Sequence, residues 1–329
     1  MPYILTVALN AAIDTTMTIA TPLTLGETHK ADSVLKLPGG KGINVARVLH
    51  TLDVPVHVTG LIGGSAGEFI KKGLAKADID ATFLSIVGIS RTCNAIVEEQ
   101  AHRVTEINEP GAIISLTEAE SFLNLFERLL SDARAVVLSG SLPPGLPDDY
   151  YVPLIHLAKI AGLPVILDTS GPSLLPAVAA QPLLVKPNVA EAAQLLHGQM
   201  RGVEDAVCAG QRMRQQGAHM VAITLGEQGA VLVSGVGTWQ ARVHVSHPRS
   251  PVGSGDAFIA GFVAILYNIV GKQGMATLST TEIPADVLVQ ALAEAVACGA
   301  ANTLHLGAGV LKREDVERLK QGVNITAVE

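Results

Sequence analysis

The sequence predicts an α/β protein: a doubly wound, mostly parallel sheet with a small inserted β-sheet as a lid. Three observations lead there. Short apolar runs alternate with amphipathic stretches along most of the 329 residues. Hydrophobic residues make up 48% of the chain and aromatics only 3%, so the core must be aliphatic, which suits buried parallel strands under helices. Two segments, 15–37 and 81–107, break the alternation; they are half polar, rich in Thr, Ser and Val, and show no helical period.

The strand-like runs are 4–9, 56–59, 135–138, 165–167, 183–185, 220–224 and 230–233, each bounded by Gly, Pro or Asp. Between them, 44–52, 68–77, 118–130, 148–161 and 203–216 carry the amphipathic pattern of helices that cover a sheet. The longest apolar stretch, 257–270, contains Asn268 and is too short to cross a bilayer, so it reads as a buried helix. The length suits one large domain over residues 1–329, with the lid made from 15–37 and 81–107. Such a lid sheet has edges and a face to cover, which points to a homodimer.

Charge and special residues exclude several classes. The formal net charge is −7, from 23 basic and 30 acidic residues, with no Lys/Arg run. A nucleic-acid binder carries a broad basic patch, and a single-strand binder carries stacking aromatics. Neither is present, so no nucleic-acid partner is expected. Cys93, Cys208 and Cys298 are far apart and form no CxxC, and the ten histidines form no HExxH, so structural zinc is not expected. The first residues run straight into a strand pattern without a basic, signal-like start. A cytoplasmic location without a membrane partner is the resulting expectation.

Two glycine-rich turns carry the chemistry. In Leu37-Pro-Gly-Gly-Lys-Gly-Ile-Asn-Val-Ala-Arg-Val-Leu49, Gly39, Gly40 and Gly42 let backbone approach a ligand closely. Lys41 adds positive charge, and Asn44 offers hydrogen bonds from the first helical turn. Locally, an ordinary turn before a helix explains it equally well. In Pro251-Val-Gly-Ser-Gly-Asp256, backbone N–H groups of Gly253, Ser254 and Gly255 at a helix start would form an anion nest. Asp256 at its edge is either a base or a helix cap.

Four further stretches occur in order with these two: Leu9-Asn-Ala-Ala-Ile-Asp14, Leu138-Ser-Gly-Ser-Leu-Pro-Pro-Gly145, Lys186-Pro-Asn-Val-Ala-Glu191 and Thr224-Leu-Gly-Glu-Gln-Gly229. The ordered set resembles the ribokinase-like, PfkB-type carbohydrate kinases. Within them it is similar to the 1-phosphofructokinase and tagatose-6-phosphate kinase branch.

The resemblance implies ATP-dependent phosphorylation of a ketohexose phosphate, with fructose 1-phosphate first and tagatose 6-phosphate or fructose 6-phosphate as alternatives. It makes Asp256 the base and the turn 253–255 the holder of the transferring group. Asp14, Gly39, Gly40 and Asn44 would grip sugar hydroxyls. Lys41 and Arg91 would pair with the sugar's own phosphate, with Ser139 beside them. Lys186, Thr224, Gly226, Gly229 and Asn302 would border the nucleotide, Asn302 near the adenine. Asn188 and Glu191 would organise Mg²⁺ through water. The family's second motif often begins Asp-Thr; here Ser250 and Pro251 precede Val252, which leaves a monovalent-cation site open. Ala11 stands where a proline is common.

Two rival readings remain. Gly63-Gly-Ser-Ala-Gly67 matches a hydrolase nucleophile elbow, with Ser65, Asp168 and His197 in the chain order of a triad. The other is a sugar-phosphate sensor that has lost catalysis.

Overall fold

The computed structural model describes residues 2–101, 103–196, 200–270 and 283–328. The first third of the chain contains β1 (Tyr3–Ala8), β2 (Ala12–Ile19), β3 (Ser33–Gly39), α1 (Lys41–Thr51), β4 (Val56–Ile62), α2 (Gly64–Lys76), β5 (Asp80–Ser85), β6 (Arg91–Glu98) and β7 (Arg103–Asn108). The middle contains α3 (Leu116–Leu129), β8 (Ala133–Ser139), α4 (Tyr151–Ile160), β9 (Val165–Asp168), α5 (Leu174–Ala179), β10 (Leu184–Val185), α6 (Val189–Leu196) and α7 (Val203–Gln215). The rest contains β11 (Met220–Thr224), β12 (Ala230–Val233), β13 (Thr238–Arg242), α8 (Ser254–Val270), α9 (Ala285–Thr303), α10 (Arg313–Lys320) and β14 (Asn324–Ala327).

Ten strands form one sheet in the order β14-β13-β12-β11-β10-β9-β8-β1-β4-β5. From β5 to β11 every neighbouring pair is parallel, and from β11 to β14 every pair is antiparallel. Alternate residues of each strand feed opposite faces. Ile4 and Ala8 of β1 face a core with α1, α8 and α9, while Leu5 and Val7 face a second core with α3, α4 and α7. All seven runs expected as strands lie in this sheet, and the apolar stretch 257–270 lies in α8. Among the described residues, no helix is long and apolar enough to cross a membrane.

The small sheet has the order β3-β2-β6-β7. One boundary differs from the sequence expectation. Residues 80–85 are not part of the lid; they form β5, which pairs in parallel with β4 at the edge of the large sheet. The reason is exposure. An edge strand with a solvated face has the same half-polar pattern as a lid strand, and β5 has no fully buried residue.

Chain direction positions the site. From β1 the sheet grows through β4 to β5 on one side and from β8 to β11 on the other. The order therefore reverses between β1 and β8. In open α/β sheets a ligand crevice forms at such a switch point, outside the carboxyl ends of the strands. Asn10, Ser139 and Asp168 stand at or just beyond those ends.

Candidate active site

The turn before α1 is shaped by what it must avoid. A Cβ on Gly39 would lie 2.1 Å from Cγ of Asp14, so only glycine leaves that carboxylate its place. Gly40 has φ 96° and packs against the backbone of Ala11, a conformation suited to glycine. Asp14 itself is on β2, opposite Leu37 of β3 and Cys93 of β6.

Asn44, in the first turn of α1, joins two carboxylates. Its Nδ2 donates to Oδ2 of Asp256 at 2.9 Å and to Oδ2 of Asp14 at 3.3 Å. Its Oδ1 accepts from Nη1 of Arg47 at 3.2 Å. Arg47 also donates to the carbonyls of Pro38 and Ala308. This half-buried guanidinium fixes the amide's orientation, because a flipped amide would turn N–H groups toward it.

Asp256 lies inside α8, at its third residue, so it is not the residue that precedes the helix. The turn ahead of it needs glycine: Gly253 has φ 83°, and a Cβ there would lie 2.5 Å from Cα of Ala308. Asp256 is 5% exposed. Burial pushes its carboxyl up to about 7; Lys41 and the Asn44 bond oppose the rise and Asp168 adds to it. Burial likewise raises the Asp14 carboxyl, against the Asn44 bond and the Arg47 charge.

Asp168, which also lines the cleft, ends β9 and is fully buried. Its Oδ1 lies 3.2 Å from Nζ of Lys41 and 3.3 Å from Nζ of Lys186. Burial would raise this carboxyl, but the two lysines win and hold it below the usual range. Lys186 is 3% exposed, whereas Lys41 keeps 37% of its side chain open. For Lys41, burial opposes the charge, yet the Asp168, Asp256 and Glu191 carboxylates raise its pKa. A Cβ on Gly255 would lie 3.3 Å from Nζ of Lys186, so this glycine admits the lysine to the start of α8.

These groups line one cleft of about 430 Å³. The large-sheet side contributes Gly40, Lys41, Asn44, Asp168, Lys186, Asn188, Thr224, Gly253, Gly255 and Asp256. The small sheet contributes Asp14, Arg91, Cys93, Glu106 and Asn108. Arg91 is held at the root of the lid, its Nε on the Asn10 carbonyl at 3.1 Å and its Nη1 on the Glu109 carbonyl at 3.0 Å. The arrangement can align a hydroxyl with Asp256 and offset anionic charge at the lysine pair.

Other sequence-marked residues lie outside the lining. Gly39 stands behind Asp14. Ser139 is 1% exposed, pairs in register with Asp168, and has a buried hydroxyl without a partner, as does Ser254. Gly226 and Gly229 make the turn between β11 and β12. Asn302 is fully buried and donates to the Val252 carbonyl at 2.8 Å. It braces the turn before α8, and its Oδ1 is buried without a partner.

Asn188 and Glu191 cap α6 reciprocally: Glu191 N–H donates to Asn188 Oδ1 at 2.9 Å, and Asn188 N–H donates to Glu191 Oε2 at 2.8 Å. Among the described residues, no three His, Cys, Asp or Glu side chains converge as a metal site. The cap uses one oxygen of Glu191, which leaves the other for a hydrated cation, and Glu191 itself lies outside the cleft lining.

The hydrolase alternative finds no support. Ser65 is exposed on α2 and does not line the cleft, Asp168 is committed to two lysines, and His197 lies outside the described residues. Two residues to which the kinase resemblance gave no role join the site: Asp168, as partner of the lysines, and Arg47, behind Asn44. The position of Asp168 at the end of an apolar strand next to the switch point was the available signal.

A family model for pfkB family carbohydrate kinases matches residues 7–314. The chain is similar to phosphofructokinase-2 from Escherichia coli, solved in complex with potassium (26% identity, 98% of this chain and 99% of that one, TM-score 0.84) and with fructose 6-phosphate (25%, the same coverage, TM-score 0.82). It is similar in fold to a protein described as a "possible 1-phosphofructokinase" from Thermotoga maritima (24%, 99% and 100%, TM-score 0.82). The fold also matches ribokinase from Giardia lamblia (16%, 98% and 99%, TM-score 0.82). A ribokinase-like sheet with a lid, a buried carboxylate at a glycine turn and a family match over nearly the whole chain agree: this chain belongs to the pfkB family carbohydrate kinases, phosphotransferases that act on a sugar hydroxyl.

Proposed function

We propose that this chain transfers the γ-phosphoryl group of ATP to a ketohexose phosphate, with fructose 1-phosphate as acceptor and fructose 1,6-bisphosphate as product. The observation that carries the reading is Asp256: a buried carboxyl pushed up to about 7 at a helix start, with the ammonium groups of Lys41 and Lys186 gathered nearby on Asp168. The acceptor hydroxyl donates its hydrogen bond to Asp256. As its oxygen bonds to the γ-phosphorus, the bond to the ADP oxygen breaks and the hydroxyl proton passes to the carboxylate. The turn 253–255 offers backbone N–H groups to the group in transit. Glu191 would hold, through water, the Mg²⁺ that ATP carries, and that ion would supply neutralisation of nucleotide charge. The lid lowers water access, which protects ATP from hydrolysis.

Arg91 supports a phosphorylated acceptor. Two of its nitrogens are tied to backbone carbonyls, which presents the rest of the guanidinium to the cleft. The motif resemblance supports fructose 1-phosphate. The fructose 6-phosphate complex of the Escherichia coli enzyme makes that sugar, with tagatose 6-phosphate, the principal alternative. A coupled assay with these three sugars and unphosphorylated fructose tests the reading. Fructose 1-phosphate is expected to give the highest kcat/KM. Arg91→Ala is expected to raise KM for the sugar phosphate by roughly 10- to 150-fold, the worth of one charge-assisted bond, and to leave KM for ATP unchanged. Preference for unphosphorylated fructose, or an effect of Arg91→Ala on ATP alone, overturns it.

A further inference from the structure

Lys41 opens α1 and Lys186 follows β10, yet they meet on one atom. Each ammonium lies within 3.3 Å of Oδ1 of Asp168, so the two are at most about 6.5 Å apart. Like charges this close repel, and Lys186 is buried as well. Among the described residues, no other carboxylate lies within ion-pair distance of either lysine. Nearby hydroxyls do not compete for Asp168: Tyr151 and Thr169 both donate to the Gly140 carbonyl. Its second oxygen, Oδ2, is buried without a partner. The charge of Asp168 is therefore directed at the lysines.

The motif resemblance gives these lysines separate tasks, Lys41 on the sugar's own phosphate and Lys186 on the nucleotide. The geometry points elsewhere. We infer that Asp168 is a positioning residue that docks both ammonium groups at one point of the cleft floor, so that Lys41, like Lys186, serves the phosphoryl group in transit and not the sugar's resident phosphate. The inference rests on the kinase reading above. With Asp168 ionised, the trio keeps one net positive charge toward the cleft. Without it, two mutually repelling cations have no anchor. Asp168 does not touch the reacting atoms; it acts through the lysines.

Two readouts test this, one of them independent of activity. Lys41 and Lys71 have similar side-chain exposure, 37% and 43%, but among the described residues Lys71 pairs with one carboxylate, surface Glu68 on its own helix. In the unmutated protein without ligands, acetylation of Lys41 by acetic anhydride, read by peptide mass spectrometry, is expected to be at least about tenfold slower than that of Lys71. The groups that set the Lys41 charge are Asp168, Asp256, Glu191 and Lys186. In Asp168→Asn, labelling of Lys41 is expected to approach that of Lys71. Equal labelling of the two lysines in the unmutated protein overturns the inference, even if Asp168→Asn fails to fold.

The second readout is kinetic. Asp168→Asn is expected to lower kcat by about 10- to 100-fold, with KM for the sugar phosphate changed less than about threefold. Lys41→Met is expected to cost far less in the Asp168→Asn background than alone, because the docking is already lost. Full additivity, or a Lys41→Met effect confined to KM for the sugar phosphate, refutes the inference. If the protein phosphorylates no hexose phosphate but the labelling pattern holds, the kinase reading falls and the docking of Lys41 stands.

Discussion

Two walls of the cleft each hold a buried aspartate, and their surroundings set them apart. On the α8 wall, Asp256 accepts from one neutral amide, and burial lifts its carboxyl to about 7. On the β9 wall, Asp168 has two ammonium groups within 3.3 Å, and they hold its carboxyl below the usual range. Burial is nearly the same; the neighbours differ. A carboxyl near neutrality can take a proton in one step and release it in the next. One held ionised serves as a fixed charge. Pairs of titratable groups pushed apart in this way identify which one handles the proton.

The largest expected effect comes from breaking the α8 wall. Asp256→Asn keeps the shape and an acceptor for Asn44 but removes the base. Turnover is expected to fall by at least ~100-fold, with nucleotide affinity, measured by calorimetry, little changed. Near-normal turnover in the folded variant would hand the proton to another group and dissolve the contrast between the walls.

Arg47 sharpens the same wall. It holds the Asn44 amide so that its N–H groups face Asp14 and Asp256. Arg47→Met fills much of the same space without the charge or the donors. It leaves Asn44 free to turn and the carbonyls of Pro38 and Ala308 without this donor. The expected cost is about 1–3 kcal/mol of stability, from the buried carbonyls, and about tenfold in kcat/KM for the sugar phosphate. Full activity in Arg47→Met at unchanged stability would show that Asn44 orients itself.

What was legible in the sequence follows the range of the interactions. The glycine turns at 39–42 and 253–255 are local: a close backbone approach excludes a Cβ, and that constraint is written as glycine. Asp256 could be marked because it follows such a turn directly. Asp168 meets Lys41 across 127 positions, and no local pattern records the meeting. Arg47 falls in an amphipathic stretch where one arginine reads as a solvated charge, yet its guanidinium is half-buried and tied to the turn carbonyls. β5 was indistinguishable from a lid strand because its exposure, not its residues, decides which sheet it joins.

A smaller effect separates two tasks of Glu191. Glu191→Gln retains an oxygen for the Asn188 N–H, so the cap of α6 survives. Only the charge is lost. The Mg²⁺ concentration for half-maximal activity is expected to rise about threefold or more at saturating substrates, with KM for the sugar little changed. An unchanged Mg²⁺ dependence would make this carboxylate a helix cap and nothing more.

The smallest expected effect is on stability, and its sign follows from the raised carboxyl of Asp256. In the unfolded chain an aspartate titrates near its ordinary value of roughly 3.9. In the folded chain Asp256 titrates at about 7. Between those values the folded state binds the extra proton, so protons favour folding, and stability falls as pH rises through this window. Above it the carboxyl is charged in both states and the penalty is complete. The unmutated protein therefore bears at pH 8 a burden that is nearly absent at pH 4.5. Asp256→Asn never bears it, while Asp14 and the rest of the cleft are common to both proteins. The Tm advantage of Asp256→Asn is expected to grow by about 2–4 °C or more between pH 4.5 and pH 8, as read by scanning calorimetry. An advantage that shrinks with rising pH would mean that Asp256 is held ionised like Asp168, and that the two walls do not differ.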